Sequence, residues 1–90
     1  MTGQRVYPND DGSFKLKRGD YMLLDNRWYC RVPYDRSNDM DLSDLSNHQI
    51  IEHEDGTITV SPSIGHTGNT PNGEKFYWHG FLEHGEWRDA

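Results

Sequence analysis

Alternation of apolar and polar residues, cut at short intervals by turn dipeptides, constrains this chain more than any other feature. From Phe76 to Glu83, the residues Phe76, Trp78, Gly80 and Leu82 fall on one side of an extended chain. Tyr77, His79, Phe81 and Glu83 fall on the other. Aromatics on both sides predict an interior strand or one covered by a partner. His84-Gly85 then turns the chain into a short closing strand, Glu86-Trp87-Arg88. Upstream, His48 to Glu54 and Thr57 to Ser61 flank Asp55-Gly56. That dipeptide is a strong two-residue hairpin signal and predicts a type I′ turn with positive φ at both central residues. Pro62 is expected to stop this ladder, and Ser63 to Gly73 reads as a Gly-rich loop with the hydroxyls of a ligand-binding segment.

The first half follows the same grammar. Ser13 to Arg18 alternates and predicts a half-buried strand, with Phe14 and Leu16 inward. Tyr21 to Leu24 and Arg27 to Val32 predict a hairpin closed by Asp25-Asn26. Trp28, Cys30 and Val32 share one face of it, which makes Cys30 a small buried hydrophobe. Tyr34 to Asn47 is polar, with Asp35, Asp39, Asp41 and Asp44. Leu42 and Leu45 are expected to pin one helical turn there. The segment lacks the central Gly and closing Glu of a calcium loop.

These elements predict a single all-β domain over residues 1–90. The expected architecture is a small antiparallel β-sandwich or partly open barrel of about six short strands. A hydrophobic content of 32% makes the core thin, so a homo-oligomer is expected to help it. One cysteine excludes an internal disulfide and a zinc site built on Cys pairs. No apolar run spans a membrane and no leader pattern opens the chain, which predicts a cytoplasmic protein without a membrane partner.

The net charge of −6 is uneven. Residues 1–34 carry six basic and four acidic residues, or +2, and residues 35–90 carry three and eleven, or −8. The acidic part argues against binding duplex nucleic acid, while the basic part suits a small anion. The five histidines lack metal-ligand spacing, so neither a metal nor another cofactor is expected. No nucleophile motif is present, and Glu52 and Glu54 read as solvated neighbours. The chain therefore reads as a non-enzymatic binder. Ser61, Ser63, His66 and Thr67 are the expected hydrogen-bonding groups. Tyr77 and His79 are the stacking groups, and Arg31 is the counter-charge.

The stretch Glu54 to Ile64, with its Ser61-Pro62-Ser63-Ile64 end, and the stretch Trp78 to Trp87 together resemble a group of small phage and prophage proteins. Some of these are loosely labelled ammonia monooxygenase. Ser61, Pro62, Ser63, Ile64, His79, Phe81, Gly85 and Trp87 match the pattern, and Trp28-Tyr29-Cys30 matches an upstream aromatic-Cys element. Many members have further cysteines resembling a zinc site. Here only Cys30 and His79 stand at such positions, and no zinc is carried over. The resemblance covers less than half of the chain and implies a phage-encoded accessory protein without an activity; for a small acidic phage protein, the expectation is an anti-defence factor. Such a factor would sequester a small anionic, nucleotide-like ligand. The alternatives are an acidic inhibitor of a host defence protein and a metal- or His-dependent hydrolase.

Overall fold

The computed structural model describes residues 1–37 and 41–90, so Asp39 of the acidic segment lies outside the described residues. The described chain is all-β, with two antiparallel sheets and no closed barrel. Strands β1 (Tyr21–Leu24), β2 (Arg27–Cys30) and β3 (Ser43–Asp44) form one sheet in that order. Strands β4 (Gln49–Glu52), β5 (Ile58–Asn69), β6 (Lys75–Glu83) and β7 (Glu86–Asp89) form the other. Every connection inside the second sheet is a hairpin, so its strand order is its chain order.

Turn chemistry sets the hairpins. Asp25 and Asn26 both take positive φ, 49° and 68°, between the paired Leu24 and Arg27. Asp and Asn tolerate this region better than most residues. His84 and Gly85 do the same between Glu83 and Glu86. The Asp55-Gly56 hairpin forms, but its turn differs from the expected type. Only Gly56 has positive φ there. The N–H of His53 donates to Thr57 O at 2.8 Å, leaving a three-residue loop. Asp55 Oδ1 accepts from both the N–H and the hydroxyl of Thr57, which favours this wider turn.

The largest departure concerns Ser63 to Gly73. The expected loop is mostly strand: β5 runs through Ser61-Pro62, whose peptide is cis, and continues to Asn69. The ladder shifts instead of ending. The step from Val60 to Ile64 on β5 is matched by the step from Leu82 to Gly80 on β6, four residues against two. A proline, which has no N–H to offer, fits within such a bulge. Gly68 then packs against an aromatic ring. A Cβ there would lie 2.6 Å from the Phe76 ring. Only Thr70 to Gly73 turns the chain, closed by Thr70 N–H to Glu74 O at 2.7 Å.

Two other expectations are corrected. Ser13 to Arg18 keeps its alternation, with Leu16 fully buried and both lysines exposed, but it forms no sheet ladder. Side chains supply part of its bonding, since Asp20 Oδ2 accepts the Lys17 N–H and Arg31 Nη1 donates to Leu16 O, while turn bonds from the Asn9 and Asp20 N–H groups reach Ser13 O and Lys17 O. Leu45 is buried as expected, but no helical turn holds it. Ser43 and Asp44 pair with Cys30 and Tyr29 as β3.

One core serves both sheets. Tyr21, Cys30, Val32 and Leu45 meet Ile58, Val60, Ile64, Trp78, Leu82 and Trp87, with Trp28 and Ile50 packed against them. Full burial of a large apolar side chain contributes roughly 1.5–3 kcal/mol. Trp78 and Trp87 meet edge to face at 5.4 Å, a favoured geometry. The N-terminal arm closes one side. Thr2 bridges Glu86, and Gly3 N–H donates to Gly85 O at 2.7 Å. Further along, Arg5 bridges Tyr21, and Val6 N–H donates to Tyr21 O at 2.8 Å. The arm thus runs between the β7 and β1 edges. Among the described residues, no helix is long and apolar enough to cross a membrane.

Candidate functional site

The outer face of β5 and β6 carries the densest set of solvent-facing polar and aromatic groups expected from the sequence. Pairing puts Gly65 opposite His79 and Thr67 opposite Tyr77. Ser63 shares this face with Gly65 and Thr67, because alternate residues point the same way. His79 Nε2 lies 2.7 Å from Ser63 Oγ. On β6 the rings of Tyr77, His79 and Phe81 follow one another at 6.3 and 6.4 Å between centroids. Tyr77 is 66% exposed. A Cβ on Gly65 would fall 2.9 Å from the Tyr77 hydroxyl, so that ring leans across the glycine.

Charge frames the row of rings. Phe81 pairs with Arg88 on β7, whose guanidinium lies 4.4 Å from the Phe81 centroid and also pairs with Glu83. A cation at this distance from a ring is attracted by its quadrupole. Lys75 stands two residues before Tyr77, on the same side of β6. Ser61 is exposed at the bulge and pairs with Gln49 of β4. Ser61, Ser63, Thr67, Tyr77 and His79 therefore belong to one sheet region. Phe81 was legible on the Tyr77 and His79 side from alternation alone. Arg88 was not, because its place over Phe81 depends on the β6–β7 register.

His66 does not join this group. Once β5 continues past Pro62, His66 follows the parity of Ile64 and Gly68 and turns inward. Its Nδ1 lies 2.7 Å from Ser43 Oγ and its Nε2 3.0 Å from Asp41 Oδ2. Ser43 in turn hydrogen-bonds the Cys30 thiol. Asp41, His66 and Ser43 are the residue types of a hydrolytic triad. Ser43, however, is only 9% exposed, and burial pushes the Cys30 thiol up to about 12 despite the Ser43 hydrogen bond. A protonated thiol is a poor nucleophile. The chain of bonds ties β3 to β5.

Arg31 is also apart. Its Nε donates to Asp35 Oδ2 at 2.6 Å and its Nη1 to Leu16 O at 2.9 Å, beside the first sheet. Asp35 is fully buried. Burial raises its pKa, but hydrogen bonds from the Ser37 hydroxyl and N–H, then the Arg31 guanidinium, hold the carboxyl below its usual value.

The other histidines distribute as local ties. His53 and His84 stack at 3.7 Å and 4°. Thr59 Oγ1 lies 2.7 Å from His53 Nε2 and accepts the His84 N–H at 2.9 Å. His48 Nε2 lies 3.0 Å from Ser63 O, so His48 and His79 both fasten Ser63. Among the described residues, no group of three or more His, Cys, Asp or Glu is arranged to hold a metal ion. The chain matches no family model, no curated protein and no solved structure.

Proposed function

We propose that the protein is a non-enzymatic binding module for a small anionic ligand with a planar, nucleotide-like part, held on the outer face of β5 and β6. The carrying observation is the clustering of Tyr77, His79 and Phe81 beside Ser63 and Thr67 on one solvent-facing surface. Rings on a sheet stack planar groups with little regard to their identity, and each stacked base contributes about 1–3 kcal/mol. Hydroxyls orient the polar edge of such a ligand, and Lys75 and Arg88 favour negative charge. An accessory role of the kind the phage resemblance implies belongs to this reading, since sequestering a ligand needs no catalytic group.

Calorimetric titration with cyclic nucleotides and nucleotide sugars tests the proposal. Saturable binding is expected, and Tyr77→Ala or Ser63→Ala should weaken it. Silence across the panel at micromolar protein would remove it. Native mass spectrometry of the purified chain reads copy number and any carried ligand together.

A further inference from the structure

We propose that a second site, chemically unlike the sheet face, lies in the groove between the N-terminal arm and the Lys15–Asp20 segment, and that it takes a chain of linked phosphates. The groove encloses about 610 Å³. Arg5, Lys15, Lys17 and Arg18 line it, against one carboxylate among the described lining residues, that of Asp20. That carboxylate is engaged, because its Oδ2 accepts the Lys17 backbone N–H at 2.7 Å. Four of the nine Lys and Arg of a chain with net charge −6 therefore converge on one concavity. A charged concavity concentrates oppositely charged ligands.

The guanidiniums are held in place before any ligand arrives. Arg5 lies 4.9 Å from the Tyr7 ring centroid and 4.8 Å from that of Trp28, and its Nη1 donates to Glu52 at 2.7 Å. Arg18 Nε donates to Asp35 O at 2.5 Å. The buried Asp35 thereby fixes Arg18 through its carbonyl and Arg31 through its carboxylate. A neighbouring concavity of about 480 Å³ is lined by Lys17, Arg18, Arg31 and Ser37. Lys17 and Arg18 face both, so the two form one basic track. Lys15 and Lys17 have no carboxylate partner among the described residues, which leaves their ammonium groups available.

The lining decides between phosphate sources. Among the described residues no aromatic ring lines either concavity, so none of them stacks a base there. Lys15, Lys17 and Arg18 fall within four consecutive positions. That crowding suits the closely spaced charges of a condensed phosphate better than the wider spacing of a nucleic-acid backbone. Arg forks and Lys point charges are the usual phosphate partners.

The test is titration of the full chain with inorganic tripolyphosphate, at low and high sodium chloride. One-to-one binding that weakens with salt is expected. Lys15→Glu combined with Lys17→Glu should cost about tenfold or more in affinity, with an unchanged circular dichroism spectrum because both side chains are exposed. Tyr77→Ala should leave tripolyphosphate binding intact, which separates this site from the sheet face. Lack of saturable binding, or indifference to the double substitution, overturns the site. Equal binding of orthophosphate, or tighter binding of an oligothymidylate, overturns the assignment to linked phosphates.

Discussion

The outer sheet face and the basic groove present their functional groups by opposite means. On the sheet, the β5–β6 ladder holds the backbone and alternation projects every second side chain into solvent. Tyr77 can change there without touching the core. In the groove, the Lys15–Asp20 segment has no ladder. Its backbone is tied by Asp20 to the Lys17 N–H, and the guanidiniums around it are held by Asp35 and, for Arg5, by the Tyr7 and Trp28 rings. Display and stability are nearly independent in the first region and coupled at Arg18 and Arg31 in the second, because both guanidiniums are oriented by Asp35, a buried residue, the first through its carbonyl and the second through its carboxylate.

The sharpest way to break this contrast is Asp35→Ala. It strands Arg31, which is largely buried, and should cost about 3–5 kcal/mol in urea unfolding. A loss below about 1 kcal/mol would mean the groove is as loosely coupled as the sheet face. Acid unfolding examines the same tie. Asp35 is held below its usual pKa when folded, so its contribution is present above the unfolded value of about 3.9 and fades as pH falls through the lower folded value. In Asp35→Asn the acid limb should be flatter than in the parent.

Gly80→Ala probes the support beneath the sheet face. A Cβ there would press against Arg88 O and lie 2.5 Å from the Trp78 ring, with backbone on one side and a core ring on the other. A loss of about 1–3 kcal/mol in thermal or chemical unfolding is expected. Tyr77→Ala should do the reverse. Unfolding free energy should stay within about 0.5 kcal/mol, while affinity for a stacked ligand falls by about 1–3 kcal/mol. Gly65→Ala should have the smallest effect on stability, below about 0.5 kcal/mol. The atom it meets is the end of the exposed Tyr77 side chain, which can swing aside, so a change in ligand affinity without a change in melting temperature is the expected signature.

Much of the sheet was legible from the chain. The two faces of β6, the buried Cys30, the Asp25-Asn26 turn and the His84-Gly85 turn all follow from spacing and local φ preference. The second half of β5 was not. Pro62, Gly65 and Gly68 are individually poor strand residues, and local propensity reads them as a stop and a loop. What reverses that reading is a bulge at Ser61-Pro62 and the rings of Phe76 and Tyr77 lying across the glycines. The same change of context turned His66 inward, while Arg31 is kept apart from the residues it was grouped with by its bonds to Asp35 and Leu16 O. The basic groove had only a charge imbalance as its signal, since its walls come from segments distant in sequence.

The sequence alone determined which residues alternate, where short turns fall and which residues favour the core, because these depend on neighbours one to four positions away. The tertiary structure decided which strands continue, which histidine faces solvent and which cations converge. Those outcomes depend on register and on contacts between distant segments. A two-residue slip between Val60 and Ile64 is invisible to local pattern, yet it sets the partner of every later residue on β5.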